Sequence, residues 1–209
     1  MVLAGGPGSR IHGAFKPDLL VDGKRMVDWQ RQAAKAEHEI LVGHSRHAIP
    51  EKGMEMVWMS GKSRGPAQGL QVALSRVVSG PLLVAYADTW WSHTPGGADW
   101  VGVCKTQGGR AWDWIGWEAI NGKTTWNRSD VPAHTSVRAC VGLYCFGDLD
   151  ALHAAVDEAM TDIPGREVQM VDVLQRYEPD MSVIDIPEWL DVGDSDAWRH
   201  ADDVLRGVA

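Results

Sequence analysis

Two cations follow a cluster of glycines at the head of the chain. In MVLAGGPGSRIHGAFKP, Gly5, Gly6 and Gly8 lie between the apolar Val2–Ala4 run and the pair Arg10 and Lys16. Glycines let backbone amides come close to a ligand, and successive amides form a concavity that binds anions. Arg10 and Lys16 would add charge where a polyphosphate lies. The same residues also suit a tight turn with two solvated cations, and composition leaves both readings open. The segment is not a Walker A loop, because G-x-x-x-x-G-K-[ST] is absent. SGKS at Ser60–Ser63 fails the same pattern, since Met56 stands where the first glycine belongs. It is not G-x-G-x-x-G either, because Ile11 occupies the third glycine position after Gly6 and Gly8.

A carboxylate lies at the end of another apolar run. PLLVAY (Pro81–Tyr86) reads as a strand covered on both faces, and Ala87-Asp88 follows it. Val2–Ala4 reads as the end of a short buried strand. In open α/β sheets ligands sit outside the carboxyl ends of the strands. The glycine segment and Asp88 would therefore meet at one edge of the sheet.

The elements that must position them alternate in the first half of the chain. Leu19–Val21 is extended and Asp22-Gly23 is a turn signal. Met26–Ala36 has helical spacing through Met26, Trp29 and Ala33. Ile40–Val42 and Met54–Met59 read as strands. Pro66–Val78 reads as a helix with Pro66 in its first turn and Leu70, Ala73, Leu74 and Val77 on one face. Farther on, Val137–Phe146 and Met181–Ile186 read as strands. Helices are expected from Asp148 to about Ala159, within Gly165–Tyr177, and from a cap at Asp194 or Ser195 to Leu205. Alternating strands and helices predict an α/β, three-layer domain built on a mostly parallel mixed sheet.

Bulk properties narrow the class. The 209 residues suit a single domain with a substantial core. A net charge of -8 disfavours a nucleic-acid partner. No apolar run approaches the ~20 residues that span a bilayer, so no membrane partner is expected. The start carries no secretory pattern. Cys104, Cys140 and Cys145 form no C-x-x-C pair, and a cytoplasmic location is the expectation. His44 and His47 lack a third ligand and read as solvated loop residues. Eleven tryptophans are many for this length. The group Trp90, Trp91, Trp100, Trp112, Trp114 and Trp117 could stack on a sugar or base, pack the core, or cover a homo-oligomer interface.

Segments along nearly the whole chain together resemble the sugar-1-phosphate nucleotidyltransferases. LAGGPGSR followed by KPDLLVDGKRMVDW resembles the signature L-A-G-G-x-G-[ST]-R … G-K-P-M-[IL], with Arg25 in place of the proline. GPAQGLQVAL (Gly65–Leu74) is similar to the segment that contacts the base at a helix start. VAYADTWW resembles the strand that ends in the first metal-binding aspartate, here Asp88. VGLYCF (Val141–Phe146) is similar to G-[IL]-Y-x-F beside the sugar site. GREVQMVDVLQRY (Gly165–Tyr177) resembles the G-E-x-x-[IL]-T-D region. PEWLDVGD (Pro187–Asp194) is similar to W-x-D-[IVT]-G-[TD], which places Asp191 as the second metal aspartate. The segments stand in the family's order.

The resemblance implies a single domain of the GT-A type over 1-209, with a nucleotide part over about 1-90 and an acceptor part over about 91-209. It implies a Mg2+-dependent transfer of a nucleotidyl group from an NTP to a sugar 1-phosphate, with loss of pyrophosphate. Asp88 and Asp191 would hold the metal. Arg10 would brace the β- and γ-phosphates and Lys16 the α-phosphate. Leu3, Ala4, Gly5, Gly6 and Gly8 would line the nucleotide, with Arg64, Gln68 and Gly69 near the base. Gly142 and Glu167 would meet the acceptor. The E-K-P stretch whose lysine holds the substrate phosphate has no clear counterpart in TTWNRSDVPAHTSVRAC; Arg128 and Lys123 are the candidates to replace it. That departure keeps two other readings alive: a transferase for a non-sugar phosphorylated acceptor, of cytidylyltransferase type, and a nucleotide-binding module without turnover.

Overall fold

The computed structural model describes residues 1–4, 15–44, 52–107, 115–120, 123–128 and 136–208. In chain order the elements are β1 (Val2–Ala4), β2 (Leu20–Val21), β3 (Lys24–Arg25), α1 (Met26–Ala34), β4 (Ile40–His44), β5 (Glu55–Met59) and α2 (Pro66–Leu74). Then follow β6 (Leu82–Tyr86), β7 (Thr89–Trp91), β8 (Trp100–Gln107), β9 (Ile115–Ile120), β10 (Lys123–Arg128) and β11 (Ser136–Phe146). The chain continues through α3 (Leu149–Asp162), α4 (Met170–Leu174), β12 (Ser182–Asp185), β13 (Trp189–Asp191) and α5 (Ser195–Leu205).

The main sheet has seven strands in the order β12-β8-β11-β6-β1-β4-β5. β1 pairs in parallel with β4 and β6, β4 with β5, and β12 with β8; β11 alone runs against its neighbours β6 and β8. The expected α/β domain on a mostly parallel mixed sheet is what forms. Alternation along each strand sends side chains to opposite faces. Leu3, Val42, Val57 and Val84 join the large core beneath α2, α3 and α4. Val2, Ala4 and Leu41 face the other way. Ala85, Leu143 and Cys145 bury against Trp91 and Trp100 on that second face, where Ala33 and Ala34 of α1 pack. Trp90 lies edge-to-face against Trp29, 6.2 Å between centroids. These tryptophans are packing residues. Trp112 and Trp114 lie outside the described residues, and Trp117 lies in β9, whose side chains are not described.

Three helices are shorter than their sequence pattern predicts, α1 by only two residues, ending at Ala34. α2 ends at Leu74 rather than Val78, because Arg76 N–H and Val77 N–H bond back to Ala73 and Leu74 carbonyls and tighten the chain into a turn. The helix expected within Gly165–Tyr177 is confined to Met170–Leu174. Val168 donates to the Arg64 carbonyl (2.7 Å) and accepts from Ala67 N–H (3.2 Å), which holds the preceding stretch extended. The helix then starts at a Gln169–Asp172 capping box. Asp148 and Asp194 cap α3 and α5 as expected, each accepting backbone N–H bonds. The Asp22-Gly23 turn has positive φ at both residues, 49° and 68°, which joins β2 to β3 by a tight hairpin.

Candidate active site

β1, β4, β5 and β6 all deliver their carboxyl ends to one edge of the sheet. Asp88 sits in the two-residue turn between β6 and β7. Asp191 ends β13, which pairs antiparallel with β7 so that Asp191 faces Thr89. The Val192 amide donates to the Asp88 carbonyl at 2.9 Å. Two carboxylates far apart in sequence thus become neighbours.

Lys16 reaches them from the other side. It opens a short 3-10 turn, Lys16–Asp18, and its Nζ donates to the Asp88 carboxylate. Both side chains are largely shielded from solvent. Asp191 feels the crowding most. Burial, and then the negative charge of Asp88, push its carboxyl up to about 7, against the pull of the Gly193 amide and Lys16. The Gly193 N–H bonds Asp191 Oδ1 at 2.9 Å and fixes the carboxylate's orientation. A site in which one carboxylate strains to stay ionised beside another has an unmet demand for positive charge.

That demand matches a hard divalent cation. Mg2+ is held by one or two carboxylates and completes its shell with water and substrate phosphates. Among the described residues no group of three or more His, Cys, Asp and Glu side chains gathers, so a cage made by protein ligands alone is not what these residues offer. The Asp88–Asp191 pair fits the first arrangement.

The turn that carries Asp88 is braced by residues the sequence reading did not single out. Gln30, 1% exposed, donates its side-chain amide to the carbonyls of Tyr86 and Thr89, 2.8 Å each. Thr89 Oγ1 donates to the Val141 carbonyl at 2.9 Å. There β11 carries a bulge at Gly142, whose φ is 75°. A Cβ at Gly142 would stand 2.9 Å from both Thr89 Oγ1 and the Tyr86 ring. The glycine therefore permits close approach of β11 to the Asp88 turn. Gln30 stands four residues after Met26 on the same helix face, but its polar neighbours Asp28, Arg31 and Gln32 give its burial no signal in the sequence. Met26, Trp29 and Ala33 do pack inward, Trp29 half-buried and donating to the Val21 carbonyl, and Val27 and Gln30 are buried beside them.

The other expected site residues are distributed as follows. Leu3 and Ala4 are buried in β1, beside the Asp88 strand. Arg64, Gln68 and Glu167 form a second group around the start of α2. The Gln68 side chain accepts from the Arg64 amide (2.7 Å). The Arg64 guanidinium donates to the carbonyls of Met160 and Ile163, closing the carboxyl end of α3. In this position it is engaged with α3 rather than directed at a base. Gly69 is buried against Leu3, Val42 and Met59, where it brings α2 close to the sheet. Glu167 is exposed and accepts weakly from Gln169 (3.3 Å). Gly5, Gly6, Gly8 and Arg10 lie outside the described residues. So do the side chains of His44, Lys123 and Arg128, and all of His47.

No curated protein matches the sequence of this chain. A family model, the MobA-like NTP transferase domain, matches residues 1–95. Among solved structures, a nucleoside-diphosphate-sugar pyrophosphorylase from Vibrio cholerae RC9 superposes with a TM-score of 0.72 at 16% identity, over 96% of this chain and 98% of that one. UTP-bound UGPase from Acinetobacter baumannii gives 0.72 at 12% identity, over 98% and 91%. A CTP:phosphocholine cytidylyltransferase from Streptococcus pneumoniae gives 0.68 at 13% identity, over 98% and 97%. The resemblance drawn from the sequence is thus matched twice: residues 1–95 fit the model of the MobA-like NTP transferase domain, and the chain as a whole shares the fold of these nucleotidyltransferase structures.

Proposed function

We propose that the protein is a Mg2+-dependent nucleotidyltransferase that joins an NTP to a sugar 1-phosphate, giving a nucleotide sugar and pyrophosphate. The observation that carries this reading is the meeting of Lys16, Asp88 and Asp191 at the carboxyl edge of the sheet. In the reaction an acceptor phosphate oxygen attacks the α-phosphorus. A new P–O bond forms there as the bond to the β-phosphate oxygen breaks, and pyrophosphate leaves with that electron pair. The attacking oxygen is already anionic at neutral pH, so no general base is needed. What remains is alignment and charge neutralisation.

The chain's own residues divide that work. Lys16, once released from Asp88 by incoming phosphate, would pair with the α-phosphate, and Arg10 with the β- and γ-phosphates. Asp88 and Asp191 would hold Mg2+, which when bound offsets phosphate charge and aligns the two anions. The backbone of Leu3 to Gly8 would line the nucleotide, and Gln68 would lie nearer the base. Gly142, Glu167 and Arg128 would border the acceptor, within the part of the chain after about residue 90.

Supporting structures of this fold include both sugar-nucleotide enzymes and a phosphocholine cytidylyltransferase. A phosphorylated non-sugar acceptor is therefore the second reading. Pyrophosphate release with each NTP, against sugar 1-phosphates, phosphocholine and other phosphorylated alcohols, separates the two. Release with sugar 1-phosphates supports the first, and release with non-sugar acceptors alone replaces it with the second. Nucleotides that raise the melting temperature while no acceptor supports release would make the protein a binding module.

A further inference from the structure

α1 carries a device the proposed chemistry needs but no site motif contains. Gln30 lies on its buried face, and a buried amide with no structural task is costly. Its Nε2 spends both protons on the carbonyls of Tyr86 and Thr89, the residues that bracket Ala87 and Asp88. The turn's remaining backbone bonds run to other elements: Ala87 N–H to Leu3 (3.1 Å) and the Asp88 carbonyl to Val192 N–H (2.9 Å). Gln30 is thus the side chain that closes the turn from the α1 side. The same helix also fixes Lys16. Met26 N–H bonds the Leu19 carbonyl (2.9 Å), and Leu19 N–H bonds the Lys16 carbonyl (3.1 Å). A further link from the Trp91 indole through Thr94 Oγ1 to the Ala33 carbonyl ties β7 to the end of α1.

We propose that Gln30 is a positioning residue for Asp88, and that α1 sets the spacing between the Lys16 cation and the Asp88 carboxylate at which the phosphate and its metal are held. The inference rests on the nucleotidyltransferase reading. Gln30 itself does not touch the reacting groups; it acts through the turn. Groups that orient metal-holding carboxylates typically affect metal affinity by ~10–100-fold. Small misplacements of the reacting geometry have comparable effects on turnover.

The test uses Gln30→Met, which keeps the length and burial but donates nothing, and Gln30→Glu, which sets oxygens against two carbonyls. Val156→Ala in α3, buried in the core on the sheet face opposite α1, is the stability control. Hydrogen exchange of the amides at 87–92, Mn2+ affinity in the presence of an NTP, and kcat and KM are measured. The proposal expects exchange at 87–92 to rise in either Gln30 variant. It expects the Mn2+ dissociation constant to rise about tenfold and kcat to fall about tenfold or more, with NTP KM changed less. Val156→Ala should move none of these, even at a matched loss of melting temperature. Wild-type exchange and Mn2+ affinity in a folded Gln30 variant would overturn it. A wild-type protein that releases no pyrophosphate would refute the nucleotidyltransferase reading instead, and the exchange data would still decide the role of Gln30.

Discussion

Asp191 is the residue whose environment departs most informatively from water. Its carboxyl titrates near 7 instead of the ordinary 3.8 because it is buried beside Asp88. Between those values the folded protein holds a proton that the unfolded chain has lost, so folding stability falls as pH rises from about 4 to about 7. Three pK units correspond to at most about 4 kcal/mol. Asp191→Asn keeps an acceptor for the Gly193 amide and removes the charge. In metal-free protein it should raise the melting temperature at pH 8 and change little at pH 4. Equal effects at both pH values would show that Asp191 ionises normally. Arg64 offers a second contrast. Its guanidinium holds two carbonyls at the end of α3, so Arg64→Ala should cost about 1–3 kcal/mol in denaturant unfolding. If instead KM for the NTP rises several-fold at unchanged stability, Arg64 serves the base, as the sequence pattern implies.

Among the elements, the β6–β7 turn, β13 and the β11 bulge form the frame of the site. Gly142 has no room for a side chain within that frame, and Gly65 has none at the start of α2. Gly65, at φ 92°, would place a Cβ 2.7 Å from the Val168 carbonyl, and the 64–168 pairing would have to open. Gly65→Ala should destabilise by about 2 kcal/mol or more by denaturant unfolding, since both the backbone region and the contact oppose a side chain. Gly142→Ala should weaken Mn2+ binding as well as stability, because the displaced groups are Thr89 and Tyr86, which hold the Asp88 turn. A loss of stability with unchanged Mn2+ affinity would separate the bulge from the site.

Across the whole molecule, the sheet edge and its two aspartates were legible from sequence for different reasons. Apolar runs such as Pro81–Tyr86 announce buried strands by composition, and Asp88 follows at the end of one. Asp191 has no such local signature; only its WLDVGD setting, in order after the other segments, singled it out. What was not legible depends on contacts between distant residues. The pairing of Thr89–Trp91 with Trp189–Asp191 joins stretches about a hundred residues apart. The extended Val168 that shortens α4 is set by Arg64. Gln30 escaped because helical periodicity assigns polar residues to solvent, whereas its amide serves two backbone carbonyls inside. The central claim is that Lys16, Asp88 and Asp191 together transfer a nucleotidyl group. Pyrophosphate release by wild type, Asp88→Ala and Asp191→Ala, with the NTP and acceptor that the wild type uses, tests it most directly. The account predicts release in the wild type and a loss of about a hundredfold or more in each variant while the fold is retained. Undiminished release in both variants would contradict it.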